Sequence, residues 1–83
     1  MPNIEVYSTP NCPYCVRAKT LLQSKNLIFK EIDVSDDVES LQKMVQLSGL
    51  RTVPQIFIND QSIGGFDELA QLNAVGSLPH MDS

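Results

Sequence analysis

Cys12 and Cys15 are the two cysteines of this 83-residue chain, separated by Pro13 and Tyr14. A cysteine reacts as its thiolate, so what matters is whether the neighbouring chain favours the anion. Asn3-Ile4-Glu5-Val6-Tyr7 alternates polar and apolar residues as a half-buried strand does. Ser8-Thr9-Pro10-Asn11 is turn chemistry, and a helix is expected from about Pro13 to Lys25. The pair therefore stands where a strand hands over to a helix. A cysteine in a first helical turn faces unpaired backbone N–H groups and the positive end of the helix dipole. Cys12, nearest the helix start, is the expected nucleophile. Cys15 lies further into the helix, where burial would keep it a thiol until it acts as the resolving group.

A stronger acid is more often ionised but less nucleophilic, and with a Brønsted slope of ~0.4–0.5 the two effects nearly cancel for attack. The clear gain is in leaving: a low-pKa sulfur is readily expelled from a mixed disulfide. The pattern thus suits a protein that takes up a thiol partner and is released from it. Two readings compete with redox chemistry: a pair of buried small apolar side chains, or half of a metal site. Zinc takes about four ligands in structural sites, and His80 is the remaining soft candidate, so no metal is expected. A catalytic base is not expected of His80 either. It sits in the tail, and a thiolate made by a helix terminus needs no histidine.

The elements around the pair follow from pattern. Ile28-Phe29-Lys30-Glu31-Ile32-Asp33 is a second strand. Ser35-Asp36-Asp37 is a capping cluster before a helix carrying Val38, Leu41, Met44, Val45 and Ser48, with Gly49 as its C-terminal cap. Gln55-Ile56-Phe57-Ile58 and Gln61-Ser62-Ile63 flank an Asn59-Asp60 hairpin turn. Phe66 to about Asn73 is a last helix, and the tail from about residue 74 to 83 is expected to be weakly structured. The order βαβ, α, ββα implies an α/β fold: a four-stranded mixed sheet flanked by three helices, in a single domain over residues 1–83. The first strand ends at the cysteine loop, the end of a parallel sheet where such folds bind ligands.

Composition narrows the function. A hydrophobic fraction of 42% indicates a globular chain. Six Lys and Arg against ten Asp and Glu give a net charge of −4, which disfavours nucleic acid. No apolar run approaches the ~18 residues of a spanning helix, so no membrane association is expected. Met1-Pro2-Asn3-Ile4-Glu5 lacks the basic start and apolar stretch of a signal peptide. The expected compartment is the cytoplasm.

Three motifs carry a resemblance: Cys12-Pro13-Tyr14-Cys15, Thr52-Val53-Pro54-Gln55-Ile56-Phe57-Ile58, and Gly64-Gly65-Phe66-Asp67-Glu68-Leu69. In this order and spacing they resemble the glutaredoxins, thioredoxin-fold proteins, over about residues 3–73. The nearest likeness is to the small bacterial dithiol type. The resemblance implies a glutathione-dependent thiol–disulfide oxidoreductase, with Cys12 as nucleophile, Cys15 as resolving thiol and glutathione as cosubstrate. It implies no tightly bound cofactor. It implies a cis bond before Pro54, with the Val53 backbone pairing with the cysteinyl unit of glutathione. Backbone N–H groups near Gly65, Phe66 and Asp67 would take the γ-glutamyl carboxylate, and the Asp67 carboxylate its ammonium. Tyr14 would lie over the tripeptide's sulfur. Arg51 would meet the glycine carboxylate, with Thr52 donating a hydrogen bond beside it. Lys19 and Arg17, one helix turn beyond the cysteines, read as mainly solvated charges that weakly favour anions.

The sequence departs from the family pattern at two places. Thr9 stands where most relatives carry Lys or Arg, and Leu50 stands where relatives often have a polar or basic residue. Weaker glutathione binding than in a lysine-bearing relative follows as an expectation. The expected partners are glutathione and disulfide-containing or glutathionylated proteins, with ribonucleotide reductase among the candidates, and the expected state is a monomer. Two alternatives keep the fold. One is an electron donor to ribonucleotide reductase served by thioredoxin reductase. The other is a dimer holding an iron–sulfur cluster through Cys12 and glutathione, which Pro13 disfavours by stiffening the loop.

Overall fold

A computed structural model of the chain describes residues 2–78. Its elements in chain order are β1 (Ile4–Ser8), α1 (Pro13–Ser24), β2 (Lys30–Asp33), α2 (Val38–Ser48), β3 (Gln55–Ile58), β4 (Gln61–Gly64) and α3 (Phe66–Ala74). The sheet order is β2-β1-β3-β4. β1 runs parallel to β2 and antiparallel to β3, and β3 pairs antiparallel with β4. The fold is the expected thioredoxin-like one.

Period-two alternation sorts the strands' side chains onto two faces. Ile4, Val6 and Ile56 point to one face, where Ala18 and Leu22 of α1 and Leu69 of α3 cover them. Tyr7 and Phe57 point to the other and pack with Val34 and with Met44 of α2. Their rings meet edge to face, with centroids 5.4 Å apart. Two helices thus lie on one side of the sheet and one on the other, and both cores are closed by residues the sequence marks as apolar.

Local chemistry sets the element ends. Asp37 caps α2, its carboxylate accepting from the Ser40 N–H at 3.2 Å, and Gly49 closes that helix at φ 76°. Asn26 takes the same left-handed conformation after α1 (φ 59°), and the Leu27 N–H returns to the Leu22 carbonyl at 3.0 Å. Asn59 and Asp60 both have positive φ, as a two-residue hairpin turn requires.

Besides shifts of a single residue at element ends, three features differ from the sequence reading. β2 begins at Lys30 rather than Ile28, because its register on β1 starts at Glu5↔Lys30, and Ile28 is left 69% exposed. Val38, expected on the apolar face of α2, is exposed at the helix start, while Met44 takes the buried position. The chain after α3 is not loose as far as Leu78. The Ser77 N–H bonds the Leu72 carbonyl at 2.9 Å, and Leu78 is buried in the α1/α3 core. His80 and the rest of the tail lie outside the described residues.

Candidate active site

Cys12 is the N-cap of α1, with extended backbone (φ −123°, ψ 103°). Its sulfur accepts a hydrogen bond from the Cys15 N–H at 3.1 Å. That is the geometry in which an N-cap serine or aspartate accepts from the first turn, with sulfur in place of oxygen. Pro13 follows at the first helical position, where its missing N–H costs no bond. Cys12 is partly exposed, Cys15 is fully buried, and the two sulfurs are joined as a disulfide.

The second wall comes from far away in sequence. Val53 precedes a cis proline, and its carbonyl oxygen lies 3.8 Å from the Cys12 sulfur. Gln55, buried at the start of β3, ties this loop down: its amide donates to the Thr52 carbonyl at 3.0 Å and to the Thr52 hydroxyl at 3.1 Å. The third wall is the start of α3. Gly65 occupies its N-cap and brings no side-chain acceptor to the first turn. Glu68 folds back to accept from the Gly65 N–H at 2.7 Å. The N–H groups of the turn beyond Gly65 therefore face outward without a side-chain cap, at the positive end of the α3 dipole. The backbone of Pro54 passes close: a Cβ on Gly65 would stand 3.3 Å from the Pro54 carbonyl oxygen.

These three walls enclose an open groove of about 180 Å³. Tyr14, Thr52, Val53, Pro54, Gly65, Phe66 and Asp67, named from sequence, all line it. The rings of Tyr14 and Phe66 lie 6.2 Å apart, tilted at 40°. Leu50, Gln55 and Glu68 line it too. The role of Glu68 has a sequence signal, since it stands three residues after the N-cap as in a capping box, but a glycine cap hides it. Arg51 does not line this groove. It faces a separate depression with Val38, Leu41, Gln42, Val45 and Gln46, on the α2 side.

Lys19 also departs from the solvated reading. Its ammonium lies 2.7 Å from the Glu31 carboxylate, which accepts as well from the buried Ser8 hydroxyl at 2.8 Å. The Lys19 hydrogen bond first, and the Ser8 one second, hold the Glu31 carboxyl below the usual range. The network joins α1, the last residue of β1 and β2. Arg17, by contrast, lies over the Tyr14 ring at 5.2 Å from its centroid.

A redox-active disulfide capped by a helix N-terminus, a cis-proline loop beside it and an uncapped second helix facing both make a disulfide-exchange centre. The glutaredoxin family model matches residues 4–63. This chain belongs to the glutaredoxin family. It is 47% identical over 78 residues to glutaredoxin 3 of Escherichia coli strain K12, covering 94% of each chain. Among solved structures it is similar to a buckwheat glutaredoxin–glutathione complex, with a TM-score of 0.84 and 29% identity over 93% of this chain and 73% of that one. It is also similar to the solution structure of glutaredoxin from Brucella melitensis, with a TM-score of 0.77 and 44% identity over 89% and 80%. The protein is a thiol–disulfide oxidoreductase. Among the described residues, no helix is long and apolar enough to cross a membrane.

Proposed function

We propose that this glutaredoxin uses glutathione as its electron donor and cosubstrate, working as a monomer in the cytoplasm on glutathionylated and disulfide-bonded proteins. The observation that carries the reading is the groove itself: a backbone carbonyl beside the Cys12 sulfur at one end, and a helix N-terminus whose N-cap brings no side-chain acceptor at the other. A short peptide thiol ending in a free carboxylate matches both. The Val53 backbone would pair with the cysteinyl unit as one more strand. The first turn of α3 would take the γ-glutamyl carboxylate, and Asp67 its ammonium. Tyr14 and Phe66 would cover the sulfur. The likeness to a glutaredoxin–glutathione complex supports this reading. The position of Arg51 on the α2 side gives it a contact with the glycine carboxylate only if the tripeptide extends past Thr52.

In the reduced protein the Cys12 thiolate attacks the glutathione sulfur of a mixed disulfide. A sulfur–sulfur bond forms between Cys12 and glutathione, and the substrate cysteine leaves as thiolate. A second glutathione thiolate then attacks the glutathione sulfur on Cys12, giving glutathione disulfide and free Cys12. With a protein disulfide, Cys12 attacks and Cys15 displaces the substrate. The Cys12–Cys15 disulfide that remains is reduced by two glutathiones. Reductases such as ribonucleotide reductase, which form a disulfide in each turnover, belong to the class of substrate this chemistry serves.

The test is turnover of a glutathionylated peptide by glutathione, coupled to glutathione reductase. Wild type and Cys15→Ser are expected to turn over, and Cys12→Ser is not. An inert wild type that thioredoxin reductase reduces directly would overturn the choice of donor.

A further inference from the structure

The groove meets α1 at Tyr14, and the first turns of α1 carry an exposed surface beside it. Pro13, Tyr14 and Val16 are exposed there, Tyr14 to 53%. Tyr14 and Arg17 are three residues apart on the helix and so share a face. The Arg17 guanidinium stacks on the outer part of this surface, 5.2 Å from the Tyr14 centroid, and the same ring meets Phe66 inside the groove. Among the described residues Arg17 makes no ion pair, whereas Lys19 is held by Glu31 and Arg51 faces the α2 side. The acidic groups of the groove, Asp67 and Glu68, stand on the α3 wall. The molecule as a whole carries a net charge of −4. A cation stacked on the Tyr14 ring, which itself lines the groove, is thus set against the general charge of the protein.

We propose that Arg17 selects the protein half of the mixed-disulfide substrate, favouring polypeptides with Asp or Glu beside the glutathionylated cysteine. The inference rests on the glutathione reading of the groove. In the exchange, the Cys12–glutathione bond forms as the bond from glutathione to the substrate cysteine breaks. The electron pair leaves with the substrate sulfur, which takes a proton from solvent. Because attack runs along the breaking bond, glutathione seated in the groove directs the leaving cysteine and its neighbours outward, across the edge of Tyr14. Arg17 is the charge they meet. Stacking on the ring holds the guanidinium in place, so less rotamer freedom is lost when a carboxylate pairs with it. One partly exposed charge contact changes affinity by roughly 1.5- to 5-fold. Attraction of an acidic flank and repulsion of a basic one multiply to a preference of roughly 2- to 25-fold.

The experiment compares two glutathionylated peptides, identical except that the cysteine is flanked by Asp in one and by Lys in the other. The readout is the ratio of their kcat/KM values. The ratio is expected to favour the acidic peptide in wild type, fall to about one in Arg17→Gln and invert in Arg17→Glu. It should also shrink between about 0.05 and about 0.5 M salt, as the screening length shortens. Lys43→Glu, on exposed α2, changes net charge by the same amount at a distance. If it moves the ratio as far as Arg17→Glu does, bulk charge is the cause and the proposal falls. A ratio unchanged in Arg17→Glu overturns the proposal while leaving the glutathione reading intact. Failure of wild type to turn over either peptide overturns that reading and the inference with it.

Discussion

Replacing Gly64 with alanine is expected to destabilise the protein by about 2–4 kcal/mol, with Glu68 as the reason for much of it. Gly64 has φ +117°, a backbone conformation that costs a residue with a side chain about 1–3 kcal/mol. Space is short as well. A Cβ there would stand 2.7 Å from Glu68 Oε1 and 2.8 Å from Glu68 Cγ. Glu68 would have to swing away, giving up its bond to the Gly65 N–H at 2.7 Å. That bond is solvent-exposed, so its loss is set at about 0.5–1.5 kcal/mol rather than the full value of a charged hydrogen bond. Urea unfolding of Gly64→Ala, Glu68→Ala and the double variant separates the two parts. With Glu68 shortened, only the backbone penalty and the residual Cβ crowding at 3.1 Å remain, so the glycine substitution should cost about 1 kcal/mol less in that background. A loss below about 0.5 kcal/mol in Gly64→Ala, or no coupling to Glu68, would refute the reasoning. Gly65→Ala is the contrast. Its φ of −97° suits any residue, and its Cβ would meet the Pro54 carbonyl oxygen at a tight 3.3 Å. Stability should fall by less than ~1 kcal/mol, while the KM for glutathione rises as the groove narrows.

Other outcomes follow from the same geometry. Because its hydrogen bonds lower the Glu31 pKa on folding, Glu31 contributes stability that is present above its ordinary value of 4.5 and lost as pH falls through the lower folded value. Lys19→Met should therefore cost about 0.5–1 kcal/mol at neutral pH, discounted for side-chain exposures of 27% and 44%, and less in acid. Equal costs at both pH values in urea unfolding would show that the ion pair contributes nothing. Asp67→Asn is expected to raise the KM for glutathione severalfold with little change in kcat, since the contact proposed for Asp67 is to the cosubstrate's ammonium and not to the reacting sulfurs; a fall in kcat alone would speak against that contact. Truncating Leu22, fully buried between α1 and the sheet, to alanine should cost about 2–5 kcal/mol in the same unfolding assay.

Much of the site could be read in the sequence because it is built from local signals. Proline after Cys12 opens a helix, so the sulfur's place at the N-cap follows from neighbours within four residues. Asp37, Gly49, Asn26 and the Asn59-Asp60 pair set their turns in the same way, through a side chain or a backbone angle of their own. The alternation of β1 and β3 determines which residues face each core. Even the groove's membership is mostly in the three motifs. Those motifs name residues, however, without saying how far apart they end up.

The tertiary structure decided what depends on how the helices dock on the sheet. The approach of Val53 to Cys12, across 41 residues, exists because β3 pairs with β1 beside the cysteine loop. Strand pairing also decided that Ile28 has no partner, since β1 begins too late to meet it. Charged side chains were the least legible. Lys19, Arg17 and Arg51 have the same chemistry in the sequence, yet one pairs with Glu31, one stacks on Tyr14 and one turns to the α2 side. A cation on a long flexible stem has no strong local preference, so its partner is whichever carboxylate, ring or open water the packed backbone leaves within its reach.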